Sequence, residues 1–268
     1  NVHRVSSTSD ICKIKNGKVH YNKAVLFGGL TFANEHNQKI PNVSKNVRKL
    51  IKRYGWMYLE GSRREINNIS KIIEDKINTQ LYTDFAGSES TFKSLSYEAP
   101  DILHIATHGF YFTYEETQGI QYYQTNYNVD EYLPAMKRAG LVFSGGHDSW
   151  NKPTSNINND GILTAEEISG MNLENVDLLV LSACQTGCGL ATSEGIIGLP
   201  KAFKLAGVNT IIMSLWDVDD MATEMMMTTF YKNLFEGYSK KEAFTKAIND
   251  VKEWNSNPYY WAAFIMLE

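Results

Sequence analysis

The chain has 268 residues, of which 43% are hydrophobic, and a formal net charge of −4. That is enough apolar material for one large α/β domain or two small ones, so disorder is not the default. An acidic balance with dispersed basic residues carries no electrostatic footprint for nucleic acid. The cysteines, Cys12, Cys184 and Cys188, are too few and too odd a number for a disulfide framework, which fits a reducing, cytoplasmic compartment. No apolar run reaches the roughly 18 residues of a membrane span. The start at Asn1 has neither an initiator Met nor a signal-peptide core, which reads as a soluble piece cut from a longer protein.

Residues 1–20 read as a polar linker or tail, and 21–268 as the folded domain. Val25 to Phe32 is the first predicted core strand, with Gly28 and Gly29 marking a bulge or a close backbone approach. Residues 33–56 are polar and basic and are expected to wrap the surface. Ser62 and Glu65 have capping-box spacing, and Ile66, Ile69, Ile73 and Ile77 follow at helical intervals, which predicts an amphipathic helix. Leu81 to Phe85 is a short strand and Ser90 to Leu95 a short helix. Ile102 to Thr107 is a buried strand.

From Phe110 to Asp160 the rhythm breaks into Tyr, Asn, Gly and Thr around one apolar stretch, Ala139 to Phe143. The expectation is an irregular 113–159 connection between two sub-regions, 21–112 and 160–268, overhanging whatever lies beside His108. Thr164 to Glu167 repeats the capping-box spacing, and Val176 to Ser182 is a second buried strand. A Gly-rich turn then leads to a helix over Ile196 to Leu205, ended by Gly207. Asn209 to Leu215 is a strand, Met221 to Phe235 and Ser239 to about Trp254 are helices, and Trp261 to Leu267 is a last strand. Alternation of this kind predicts a mostly parallel α/β sheet.

Two of these strands stop at a reactive side chain, one at His108-Gly109 and the other at Cys184. Chemistry in open α/β sheets gathers at the carboxyl ends of strands, so an imidazole and a thiol there read as a proton carrier and a nucleophile. A turn leading into a helix N-terminus would favour the thiolate, and the N–H groups of Cys184 and Gly109 are candidate oxyanion donors. The competing reading is a small buried Cys and a hydrogen-bonded core His. His104, four residues before His108 and on the same strand face, is structural in this reading. A zinc site of His104, His108, Cys184 and Cys188 would need its ligands to bend out of regular strands. The turn Gly187-Cys188-Gly189 hints at phosphate binding, but Thr192 stands where a dinucleotide fingerprint needs Gly and no Walker Lys follows. Asp217, after the Asn209 to Leu215 strand, suits either a specificity pocket for a basic side chain or local structure, while Asp219 or Asp220 suits a helix cap.

Seven ordered segments resemble the CHAT peptidases, caspase-like modules related to separases, gingipains and caspases. They are G-S-R-R-E-I at 61–66, L-H-I-A-T-H-G-F at 103–110, D-G-I-L-T-A-E-E-I at 160–168, L-V-L-S-A-C-Q-T-G at 179–187, E-G-I-I-G-L-P-K-A-F at 194–203, A-G-V-N-T-I-I-M-S-L-W-D-V-D-D at 206–220 and Y-Y-W-A-A-F at 259–264. The resemblance implies a caspase-like three-layer α/β sandwich in a bacterial protein, with a mostly parallel central sheet flanked by helices. It implies a cysteine endopeptidase in which His108 and Cys184 form the dyad and the backbones of Gly109 and Cys184 the oxyanion hole. By similarity to separases, Asp217 would receive a basic P1 side chain. Such an enzyme needs no metal and no cofactor. The partners implied are a polypeptide substrate and a regulatory region or sensor protein, with no nucleic acid and no membrane. The alternative is a catalytically silent interaction module on the same fold.

Overall fold

The computed structural model describes residues 20–33, 56–128, 133–153, 157–182, 189–192, 195–216 and 218–268. In chain order the elements are β1 (Lys23–Leu30), α1 (Glu60–Ile73), β2 (Asn78–Asp84), α2 (Glu89–Ser94), β3 (Ile102–Ile105), β4 (Gly109–Tyr111), α3 (Tyr114–Thr117) and α4 (Gln121–Asn126). There follow β5 (Ala139–Val142), α5 (Gly146–Asn151), β6 (Ile162–Thr164), α6 (Ala165–Ser169), β7 (Leu178–Leu181), β8 (Gly189–Thr192), β9 (Gly195–Gly198) and α7 (Leu199–Leu205). The last are β10 (Thr210–Ser214), α8 (Asp220–Phe235), α9 (Lys240–Trp254), α10 (Pro258–Trp261) and β11 (Phe264–Leu267).

Six strands form the central sheet in the order β11-β10-β7-β3-β1-β2. All neighbours are parallel except β10 and the edge strand β11. Short apolar runs allow this because each strand is covered on both faces. Ala24, Leu26, Ile102, Leu178, Val180 and Ile212 meet α1, α8 and α9 on one side. Their alternates Val25, Phe27, Leu103, Ile105, Leu179 and Leu181 meet α2, α6, α7 and an aromatic cluster on the other. Three layers follow directly from the period-two alternation within strands covered twice.

The isoleucine stripe of α1 behaves as its spacing predicts: Ile66, Ile69 and Ile73 are fully buried, each worth about 1.5–3 kcal/mol. Its capping differs from the expectation. Leu59 is the N-cap and makes no side-chain cap bond, while Ser62 Oγ donates to Leu59 O at 2.8 Å and accepts from Gly29 N at 2.9 Å. Gly28 and Gly29 show why this approach is possible. A Cβ on Gly28 would lie 2.7 Å from Ser62 O, and Gly29 has φ +61°. The register between β1 and β2 shifts between Phe27 and Leu30, so the glycine pair is both a bulge and a close approach.

The region expected to be irregular is built. It carries α3, α4, β5 and α5, and β5 joins β4 and β6 in a three-stranded antiparallel sheet. Tyr122, Tyr123 and Trp150 are buried rather than filling loops. Tyr122 stacks on Trp150 with centroids 5.2 Å apart, and Phe112 stacks on the same ring at 5.7 Å. Aromatic area of this kind supplies a core without aliphatic periodicity, which is why pattern reading missed it.

Other elements match their sequence signals closely. Thr164 with Glu167 and Ser239 with Glu242 form complete capping boxes, and Asp219 caps α8 through Met221 N and Ala222 N. Met226 and Met227 are core side chains of α8. The helix expected from Ile196 starts later, at Leu199, because Gly195–Gly198 pairs with Gly189–Thr192 as a hairpin. The predicted strand from Trp261 is shortened to Phe264–Leu267 by the single turn α10. The 1–19 tail and the surface wrap at 34–55 lie outside the described residues.

Candidate active site

The carboxyl ends of three adjacent parallel strands, β3, β7 and β10, share one edge of the sheet. Ile105 lies opposite Leu181, and Met213 opposite Leu181 on its other side. The register thus ends β3 and β7 in step at this edge; in the sequence His108 lies three residues beyond Ile105 and Cys184 three beyond Leu181. Cys184 and Asp217 themselves, like Cys12 and Cys188, lie outside the described residues.

His108 sits where the chain leaves β3 and turns into β4. Its carbonyl accepts from Val142 N at 2.9 Å, and Thr107 Oγ1 donates to Val142 O, so β5 pins the turn from the side. The ring lies between Phe32, with centroids 5.0 Å apart, and Trp56, at 5.3 Å. His108 Nε2 is 2.6 Å from Met57 O. A carbonyl only accepts, so Nε2 carries the proton and Nδ1 is the basic atom of the ring.

The same turn sets the direction of Gly109. His108 exchanges a hydrogen bond with Val142, and Gly109 is opposite Leu141. Antiparallel pairs alternate between bonded and non-bonded, so Gly109 occupies a non-bonded position and its N–H points away from β5.

His104 does not share the face of His108, contrary to the strand-alternation expectation, because the strand ends at Ile105 before the periodicity reaches residue 108. His104 is fully buried on the α8 side. Its Nδ1 is 3.2 Å from Tyr231 Oη, and its Nε2 is 3.0 Å from Glu65 Oε1. The second contact does not meet the geometry of a hydrogen bond. Burial foremost, reinforced by the Glu65 charge, drives the Tyr231 hydroxyl well above its ordinary range, which keeps it a donor.

Glu65, read from spacing as a capping residue, is 5% exposed and turned inward. Its other oxygen accepts from Ser182 Oγ at 2.8 Å. Ser182 is two residues before Cys184. Glu65 therefore ties α1, β3 and the end of β7 together. Burial at this depth is uncommon for a carboxylate without partners, and nothing in a helical-spacing argument reveals those partners.

Glu65, Thr107, Ser182 and Ser214 line a pocket at this edge, with Asp220 and Thr223 of α8 on its far wall. Asp220 reaches it because residue 61 is Gly: a Cβ there would lie 2.6 Å from Asp220 Oδ2. Partial desolvation pushes the Asp220 carboxyl above its usual range. Arg64 opposes the shift, and Asp219, Glu65 and Glu224 add to it. Leu59, Val218 and Phe264 complete the lining, so the pocket combines two carboxylates and several hydroxyl groups with an apolar wall, which can take the stem and charge of a cationic side chain.

The helix N-terminus expected after Cys184 concerns residues 183–188, which lie outside the described residues; beyond them the chain enters the β8–β9 hairpin, and the next described helix starts at Leu199.

A family model described as the CHAT domain matches residues 1–268. Tetratricopeptide repeat protein 28 of Mus musculus and of Homo sapiens are each 32% identical to this chain over 108 residues, which are 40% of this chain and 4% of those proteins. The chain thus spans a small fraction of the length of the curated relatives it matches. Among solved structures, the Arg-specific cysteine proteinase gingipain R superposes with TM-score 0.53 at 8% identity, over 92% of this chain and 46% of that one. The complex of Porphyromonas gingivalis RgpB pro- and mature domains gives TM-score 0.51 at 8% identity, over 92% of this chain and 47% of that one. Identity this low carries the fold alone, and the fold is that of the caspase-like cysteine peptidases.

Proposed function

The chain belongs to the CHAT domain family, and from that premise we propose that it is a cysteine endopeptidase whose dyad is His108 and Cys184. The observation that supports the reading is the register of β3 and β7, which pairs Ile105 with Leu181 and so ends both strands at one sheet edge beside a pocket with two carboxylates; His108 and Cys184 each follow those strands by three residues in the sequence. Cys184 Sγ gives its proton to His108 Nδ1 and bonds to the scissile carbonyl carbon, while the carbonyl electrons move to the oxygen, held by the N–H groups of Gly109 and Cys184. The tetrahedral species collapses as the C–N bond breaks, and His108 Nδ1 gives its proton to the leaving amine. Nδ1 then takes a proton from water, the hydroxide oxygen attacks the thioester, and the acid product leaves as the thiolate reforms.

A basic P1 residue is the substrate feature that the pocket favours. Asp217 was the sequence candidate for that contact and remains in the proposal; Glu65 and Asp220 are the acidic groups whose pocket contacts support it. The likeness to proteins named for tetratricopeptide repeats supports a repeat or sensor region as regulator, joined to this domain or supplied by a partner. A reducing compartment such as the cytoplasm keeps the nucleophile as a thiol. Among the described residues no helix is long and apolar enough to cross a membrane.

The test is a P1-diversified peptide library incubated with purified protein and with Cys184→Ala. Cleavage by the first alone, fastest after Arg or Lys, is the expected result. Equal cleavage by both refutes the dyad. A folded wild-type protein that cuts nothing and reacts with a peptide-linked thiol warhead no faster at Cys184 than at Cys12 favours a silent interaction module.

A further inference from the structure

Two consecutive carbonyls, Trp56 O and Met57 O, are each held by a histidine from a different part of the chain. His108 Nε2 is 2.6 Å from Met57 O, and His147 Nδ1 is 2.7 Å from Trp56 O. His147 is 6% exposed and lies on α5, in the segment that pattern reading took for an irregular connection. Its tautomer is fixed from both sides. Trp56 O only accepts, so Nδ1 is the donor, and Nε2 accepts from Asn151 Nδ2 at 3.0 Å. The start of α5 is itself anchored to the chain beyond β1, through Gly145 N to Thr31 O at 3.1 Å and His147 N to Phe32 O at 2.9 Å.

The Trp56–Met57 dipeptide is a costly piece of structure to hold where it is. Trp56 is 2% exposed, and its Nε1 is buried with no hydrogen-bond partner among the described residues. An orphaned donor of this kind costs about 1–3 kcal/mol. What the placement secures is the ring of Trp56 against His108, at 5.3 Å, and the next carbonyl against His108 Nε2. Trp150, from the same helix as His147, completes the wall at 5.3 Å from Trp56.

We propose that His147, supported by Asn151, is a positioning residue for His108. By holding Trp56 O it fixes Met57 O, and Met57 O fixes the tautomer and aim of His108. The assignment rests on the reading of His108 as the proton carrier, but its geometry does not. Bonds that orient a catalytic imidazole act through rate rather than substrate affinity, and displacement of about 1 Å can cost up to about a hundredfold.

The test uses the 268-residue chain, with ¹⁵N-labelled histidine, and the library peptide that it cuts fastest. In His147→Ala the Nε2 proton of His108, assigned by its loss in His108→Ala, should exchange with water at least tenfold faster, and kcat should fall about tenfold with KM within twofold. His147→Asn, whose amide N–H replaces the Nδ1 donor, should restore most of both. Asn151→Ala should move both in the same direction by about threefold, and decides the matter if His147→Ala does not fold. An unchanged His108 ring signal in whichever of these two variants folds overturns the proposal. If His108→Ala still cuts at the wild-type rate, the peptidase reading of His108 fails while the exchange measurement still decides whether His147 positions the ring.

Discussion

The two ends of the central sheet hold polar clusters of similar size and opposite character. At the amino end, Asp177 accepts from Tyr21 Oη at 2.9 Å, from Asn209 Nδ2 at 2.7 Å, and from Lys240 Nζ at 3.0 and 2.9 Å on its two oxygens. Asp101, beside it, accepts from Asn22 N and Lys23 N at 2.6 and 3.0 Å. Burial alone would raise the Asp177 carboxyl, but the Lys240 charge and these donors hold it below the ordinary range. At the carboxyl end, Glu65 and Asp220 line an open pocket, and Asp220 is pushed the other way, upward. A cluster whose charges are matched within the chain ties strands together. A cluster with carboxylates on the wall of a cavity can also meet a group that enters it.

Four substitutions would break or sharpen this contrast. The largest effect is expected at the carboxyl end: His108→Ala should lower kcat by about a thousandfold, within the range of general acid–base catalysis, with Tm unchanged within about 2 °C. Steady-state kinetics and calorimetry on the same sample measure both, and a Tm that collapses together with the rate would make His108 structural.

Lys240→Met is the reverse case. It leaves Asp177 charged and largely buried, with side chains only 15% and 17% exposed in the wild-type pair. Stability should fall by about 3 kcal/mol, roughly 6–12 °C in Tm, while kcat/KM stays within a factor of about two. Loss of activity at a temperature where the variant is folded would mean the two ends are coupled.

Asp220→Asn should lower kcat/KM for P1 Arg peptides by about tenfold, the worth of a partly exposed charge-assisted contact. Peptides with a neutral P1 should be cut as before. Equal losses for both would remove Asp220 from the pocket reading.

The smallest effect concerns Asp160, where the built segment rejoins the domain. Burial raises its carboxyl to about 7 against the Ile162 N–H and the Tyr122 hydroxyl, with Glu89 and Glu167 adding to the rise. The folded state then keeps a proton that the unfolded chain releases near pH ~4, so this group's contribution declines as pH climbs from about 4 to about 7 and levels off above. Asp160→Asn should remove that slope, on the order of 1–2 kcal/mol after allowance for partial exposure. Chemical denaturation of both proteins at pH 5 and pH 8 checks it: the wild type should lose more stability than the variant between the two, and parallel curves would contradict the shift.

Legibility in the sequence divides by range. Ile66, Ile69 and Ile73 declare the buried face of α1, and the apolar runs of β1, β3, β7 and β10 declare strands covered twice, because side-chain period is a local property of the backbone. The Thr164 and Ser239 boxes are legible for the same reason. Glu65 is the instructive failure. Its spacing from Ser62 matches a cap, yet its partners are His104 and Ser182, the latter 117 residues away. The aromatic segment failed differently, since rings bury area without the aliphatic period that marks an element.

By itself the sequence determined that this is a parallel α/β sheet with His108 beyond the end of one core strand and Cys184 beyond the end of another, since alternation and strand ends are written in consecutive residues. Only tertiary structure decided that those strands are neighbours in register, that His104 and His108 part to opposite faces, and that the carbonyl of Met57 meets the His108 ring. The physical reason is that such partners are chosen by packing across the molecule. A backbone carbonyl has no residue identity for a sequence to display, and an inward-turned glutamate looks the same as a capping one until the chain closes around it.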